Sequence, residues 1–157
     1  MQFHAQARVD VPHPLGLQAA TAYLRDLPRS LRQVACLHDL QVQGNILQGA
    51  LAVQLPLLDV QSFPFQSKTA DVPGGLELFG ETLPEESWAQ ISGEGEADSG
   101  LLHYNLDVWV HVNLPSNLSW GVGVVQKMAE AAVSRVTRQL SAEFHAGVAA
   151  GLLEVSA

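Results

Sequence analysis

The sequence holds one cysteine, Cys36, among 157 residues. No internal disulfide can form, which fits a reducing compartment, and the expected location is cytoplasmic. Charge is scarce: Asp, Glu, Lys and Arg make up 15% of the chain, low for a soluble domain. Basic charge is scarcer still, with 8 Lys and Arg against 16 Asp and Glu and a net charge of −8. Phosphate backbones repel such a chain, so no nucleic-acid partner is expected. The basic cluster Arg25, Arg29 and Arg32 reads as a solvated helix face. Long apolar runs are missing as well. No stretch approaches the ~20 apolar residues of a membrane span, and the opening MQFHAQARVD lacks the apolar core of a signal peptide. The most apolar tail, AGVAAGLL at Ala146–Leu153, is long enough only to touch a partner or a membrane surface. Residues 146–157 are therefore expected to form a flexible or interacting tail. Gly121 and Gly123 do not make a phosphate loop, because the GxGxxG spacing is absent.

Hydrophobic residues are plentiful, at 47%, so a folded chain is expected, as one domain over residues 1–157. Their spacing is informative. From Gln2 to Val11, Phe3, Ala5, Ala7, Val9 and Val11 take one face of a strand that PHP at Pro12–Pro14 ends. Leu17, Ala20, Leu24 and Leu27, with Tyr23 beside them, recur at helical spacing. Pro28 stops that helix and opens a second short one through about Val34. Strands follow at Leu37–Gln43, Ile46–Leu55, Val60–Thr69, Leu76–Phe79 and Trp88–Ala97, punctuated by GN at Gly44–Asn45 and DVPGG at Asp71–Gly75. Pro64 suggests a strand edge or bulge. The ribbon LLHYNLDVWVHVNL (Leu101–Leu114) keeps Leu102, Tyr104, Leu106, Val108, Val110, Val112 and Leu114 on one face. After Pro115, Ser116 or Asn117 is the expected cap of a long helix. Its stripe is Val125, Met128, Ala132, Val136, Leu140, Phe144 and Val148. Its expected end is near Gly147, because a helix to Leu153 would span ~55 Å at 1.5 Å per residue.

The order is strand, two helices, six strands, long helix. Six consecutive strands with short turns must be mostly antiparallel. One polar face per strand leaves one sheet face for water, and the last helix is the element able to cover the other. An α+β fold follows: a curved antiparallel sheet of about seven strands wrapped on a long C-terminal helix.

This order, and the segment YLRDLPRSLRQVACLHDLQVQGNILQGALAVQLPLLDVQSFPF, resemble the START-like (helix-grip, SRPBCC) superfamily. Within it the likeness is closest to the accessory G-subunit proteins of carbon monoxide dehydrogenase and to small uncharacterised bacterial relatives. The chain has His38–Asp39 where those accessory proteins tend to have Pro-Gly. The resemblance implies a cavity between sheet and long helix, used for apolar or amphipathic small molecules. The likeness to the accessory proteins implies docking on a protein partner or a peripheral membrane contact.

Small inner positions (Ala5, Ala7, Gly49, Ala89, Gly93, Gly95, Ala97) leave space. That space is either filled by Tyr23, Trp120, Met128, Leu140 and Phe144 or forms a pocket. The pocket would be lined by Leu51, Val53, Phe63, Phe65, Ile91, Tyr104, Leu106 and Met128, with Ala132 one helical turn further on. Tyr104 alone on its strand's inner face carries a polar handle suited to orienting a ligand. Outside, His103, Asp107 and His111 invite a metal reading. Four residues of strand cover ~13 Å, far more than metal–ligand distances allow, so neither a metal nor a cofactor is expected. Cys36, His38 and Asp39 supply nucleophile, base and orienter types but not a geometry that neighbouring residues provide. Gly121 and Gly123 suggest close approach to the sheet or a flexible cavity entrance, with Trp120 as a cover or as ordinary packing. No paired acid–base groups fall on the inner face, so binding is expected ahead of the alternative, an enzyme of the cyclase or hydrolase type.

Overall fold

The computed structural model describes residues 1–114 and 120–156. In chain order it has β1 (Gln2–Pro12), α1 (Leu17–Arg25), α2 (Leu27–Ser30), β2 (Leu37–Gln43), β3 (Ile46–Gln54), β4 (Val60–Val72), β5 (Gly75–Gly80), β6 (Trp88–Ala97), β7 (Leu101–His111) and α3 (Val122–Ser156). The strands form one sheet in the order β1-β7-β6-β5-β4-β3-β2, and every pairing is antiparallel. Short turns dictate the run from β2 to β7. Gly44 and Gly74, at φ 59° and 74°, supply the left-handed backbone that the tight β2–β3 and β4–β5 turns need. The expected inner face of β1 is buried throughout, and so are Leu102, Tyr104, Leu106, Val108, Val110 and Val112 of the ribbon. Pro64 lies opposite Ala50 of β3. β5 reaches β4 only from Ser67 to Val72, so Pro64 sits beyond β5, where a missing N–H costs no ladder bond. Ser67 Oγ there donates to the Ile91 carbonyl of β6 at 2.7 Å, a link across the stopped strand that curls the sheet.

The helices differ from expectation in three ways. α1 stops at Arg25, and α2 ends at Ser30 rather than near Val34. The Asp26 N–H is taken by the Ala22 and Tyr23 carbonyls, which closes α1 before Pro28 is reached. The third difference is larger. α3 does not end near Gly147 but continues to Ser156, 35 residues in all from Val122, so Ala146–Leu153 is helix. Gly147 is a contact rather than a terminator. A Cβ there would lie 2.5–2.7 Å from the backbone of Gln33 and Val34, and one on Gly151 would collide with the Tyr23 hydroxyl. The Tyr23 O–H donates to the Val148 carbonyl at 2.9 Å. Two glycines four residues apart thus let α1, α2 and the chain after them lie directly on α3, and burial there keeps the helix going. At the start of α3, Gly121 and Gly123 do not make the close approach to the sheet that was one of the two expectations for them. Nothing stands within 4 Å of a Cβ on either. Gly121 instead accepts the first described helical bond, from Val125 N–H. The Ser116 or Asn117 cap lies outside the described residues.

The core lies between the inner sheet face and α3. Met128, Ala132, Val136, Leu140, Phe144 and Val148 are buried along one stripe, and Val125 is half-buried. Among the described residues no helix is long and apolar enough to cross a membrane.

Candidate functional site

The small inner residues leave a space under α1, α2 and the second half of α3. It measures about 40 Å³, room for a few water molecules. Its walls come from every layer: Leu24 and Leu27 from the N-terminal helices, Phe65, Leu76, Ile91 and Tyr104 from the sheet, and Leu140 and Phe144 from α3. Gly95 is one reason it exists. A side chain there would press on Leu24 and the Tyr104 ring at 3.2–3.3 Å, so the sheet floor stays bare. Its lining also includes half-buried Leu37 and Leu78 and exposed Glu94.

Of the residues expected to line a pocket, the structure brings Phe65, Ile91, Tyr104 and Leu106 together around this cavity. Leu51, Val53, Phe63, Met128 and Ala132 are buried in the core outside its lining. Leu24, Leu27 and Val108, which periodicity placed on apolar faces but did not assign to the pocket, are walls as well, together with Leu31 and Cys36. Periodicity tells which face a residue occupies, not where along that face a void falls.

Two buried residues that carry a polar group line the void. The Tyr104 ring packs edge-on against Phe144, centroids 4.9 Å apart. Its hydroxyl is buried and has no hydrogen-bond partner among the described residues. Burial pushes its pKa up, so it stays a neutral donor. Native proteins seldom leave a buried hydroxyl unpaired. Cys36 lines the same space, and burial, helped by the Glu143 carboxylate, pushes its thiol up to about 12. It therefore stays protonated and is a poor nucleophile. His38 and Asp39 do not assist it from within. Both are exposed on β2, at a bulge between His38 and Gln41 where Asp39 adopts φ 54°.

The outer face sorts its histidines into separate pairs. His4 Nε2 contacts Asp107 Oδ1 at 2.8 Å, and the His4 ring stacks on Trp109 at 4.3 Å. His111 stacks on Trp88 at 4.1 Å. His103 lies between two carboxylates, with Asp10 at Nδ1 and Asp98 at Nε2, each 2.7 Å away. Among the described residues no three His, Cys, Asp or Glu side chains converge as a metal site would require.

A curved antiparallel sheet closed by a long helix over a small apolar void defines a protein of the helix-grip class. The chain belongs to the family described as "Protein of unknown function (DUF3809)", whose model matches residues 8–142. Solved structures with this fold include an aromatase/cyclase, Zhui, from Streptomyces sp. R1128, 13% identical over 99% of this chain and 96% of that one, TM-score 0.61. A protein from Thermus thermophilus is 12% identical over 97% and 99% of the two chains, TM-score 0.60. A conserved protein from Geobacillus kaustophilus is 10% identical over 98% and 96%, also at 0.60. At such identities the likeness is one of fold. No curated protein matches the chain.

Proposed function

We propose that this protein binds one small apolar or amphipathic molecule in the cavity between sheet and helices, in the cytoplasm, and holds it without converting it. The observation that carries the reading is Tyr104, which lines the apolar void and whose hydroxyl is buried without a protein partner among the described residues. An unpaired buried donor costs about 1–3 kcal/mol, and a ligand acceptor would recover it. Support for holding rather than converting comes from the two buried titratable groups of the lining. Cys36 and Tyr104 are both weaker acids than usual, whereas a cyclase-type reaction needs a group that gives and takes a proton near neutral pH. The aromatase/cyclase neighbour shares the fold at 13% identity, which transfers no chemistry.

Native mass spectrometry of the protein purified from its own host, followed by titration with an apolar dye, tests the reading. One bound equivalent is expected. Val108→Phe, which places a ring in the lining, should displace it. Failure of the unaltered protein to bind any apolar probe overturns the proposal.

A second reading, docking on an enzyme complex as the carbon monoxide dehydrogenase likeness implies, has two observations in its favour. Asp39 at φ 54° occupies a left-handed position of the kind glycine favours, where those accessory proteins tend to have Gly. Leu57 and Val60, exposed by 78% and 63%, stand at the β3–β4 turn, the end of the sheet from which β7 leaves toward α3. A co-purifying protein with no small mass in the cavity would favour this reading.

A further inference from the structure

The lining of the cavity restricts what its ligand carries. Among the described residues that line it, the one charged side chain is Glu94, and its charge is negative. Its carboxylate is already turned to Asn105 Nδ2 at 3.2 Å. No Lys, Arg or His is part of the wall among the described residues. A ligand carboxylate brought here would lose its water and meet one phenol and no cation, an unfavourable exchange. A pure hydrocarbon would leave the Tyr104 hydroxyl as orphaned as before. A neutral molecule with one acceptor resolves both problems, since the phenol donates to it and no charge is buried. We infer that the ligand is a neutral, largely apolar molecule with a single hydrogen-bond acceptor, such as an aryl ketone, and not a fatty acid or other organic anion. This rests on the ligand-binding reading above and narrows it.

Size sets a second condition. The void of about 40 Å³ is smaller than the roughly 150 Å³ that accepts benzene in an apolar protein cavity. A one-ring ligand therefore fits only if the walls, which include half-buried Leu37 and Leu78, move apart.

Calorimetric titration of the full chain with acetophenone, ethylbenzene and benzoate separates the parts. The three probes share a ring and differ in the group offered to Tyr104. Acetophenone is expected to bind about three- to tenfold tighter than ethylbenzene, the worth of one neutral hydrogen bond, and benzoate more weakly than either. In Tyr104→Phe the ratio of acetophenone to ethylbenzene affinity should fall to about one. Equal binding of acetophenone and ethylbenzene by the unaltered protein overturns the donor role and leaves the cavity reading standing. Benzoate as the tightest probe overturns the neutral class. Binding of none of the three overturns the inference together with the ligand-binding reading, and the Tyr104 hydroxyl is then served by water.

Discussion

Two buried tyrosines invite a direct comparison at the scale of the residue. Tyr23 donates to a carbonyl of α3, and burial pushes its pKa up to about 12. Tyr104 donates to nothing among the described residues. Tyr23→Phe should lose about 0.5–1.5 kcal/mol in urea denaturation, the usual net worth of a made hydrogen bond. Tyr104→Phe should leave stability unchanged or raise it, because an unsatisfied hydroxyl is removed. A clear loss in Tyr104→Phe would mean that the protein itself employs that hydroxyl. His103 offers a test by pH. The hydrogen bond to Asp98, then that to Asp10, raises its pKa above 6.5. The same imidazole, with the Gly100 and Leu101 N–H groups, lowers Asp98 from 3.8 to about 2. The His103 contribution is therefore complete below its unfolded value and disappears as pH rises through the raised folded value. That of Asp98 is complete above 3.8 and is lost as pH falls toward about 2. An NMR titration should place His103 above 6.5; a value at or below the ordinary one would remove the clamp.

At the scale of the element, α3 carries glycines of two kinds. Gly123 is exposed with open space around it, so Gly123→Ala should stabilise by up to ~1 kcal/mol through helix propensity alone. Gly147 presses on the backbone of Gln33 and Val34. Gly147→Ala gains the same propensity but must push that backbone away, and net destabilisation is expected. Thermal melts of the two variants should shift in opposite directions. The same helix shows how burial outweighs composition. Ala132 is fully buried but lies outside the cavity, so Ala132→Trp should overpack the core at a cost of ~1–3 kcal/mol or more. A normal melting temperature for Ala132→Trp would mean that unfilled space extends to this turn of the helix.

Across the whole molecule, the sheet and α3 meet over a nearly filled core, and the remaining void gathers under the N-terminal helices. Arg25 ties that lid to the sheet, donating to the Val72 and Gly75 carbonyls at 2.6 and 3.0 Å. A ligand that enters must spread these walls, so binding and stability are coupled. At a hundredfold excess over its Kd, a bound probe should add about 2.7 kcal/mol to unfolding free energy. No rise in melting temperature at such an excess of acetophenone would mean that the folded state does not hold it.

The ribbon from Leu101 to Leu114 shows what the sequence determined by itself. A period of two assigns each side chain to a face whatever lies beyond, so burial of Leu102, Tyr104, Leu106, Val108 and Val110 was legible from the chain alone. The same holds for β1, for the stripe Met128–Val148 and for the two glycine turns, because each is a local property of a few neighbouring residues. The end of α3 was not legible. Gly147 reads locally as a helix stop, and only the approach of Gln33 and Val34, more than a hundred positions earlier in the chain, makes its missing Cβ a contact instead. The cavity was half legible. The pattern placed Phe65, Ile91, Tyr104 and Leu106 on the inner face, but equally placed Leu51, Val53 and Phe63 there. Which of them border empty space depends on how Leu24, Leu27 and Cys36 from one side and Leu140 and Phe144 from the other fill the volume between. That is a sum over residues remote in sequence, and only the packed tertiary structure performs it.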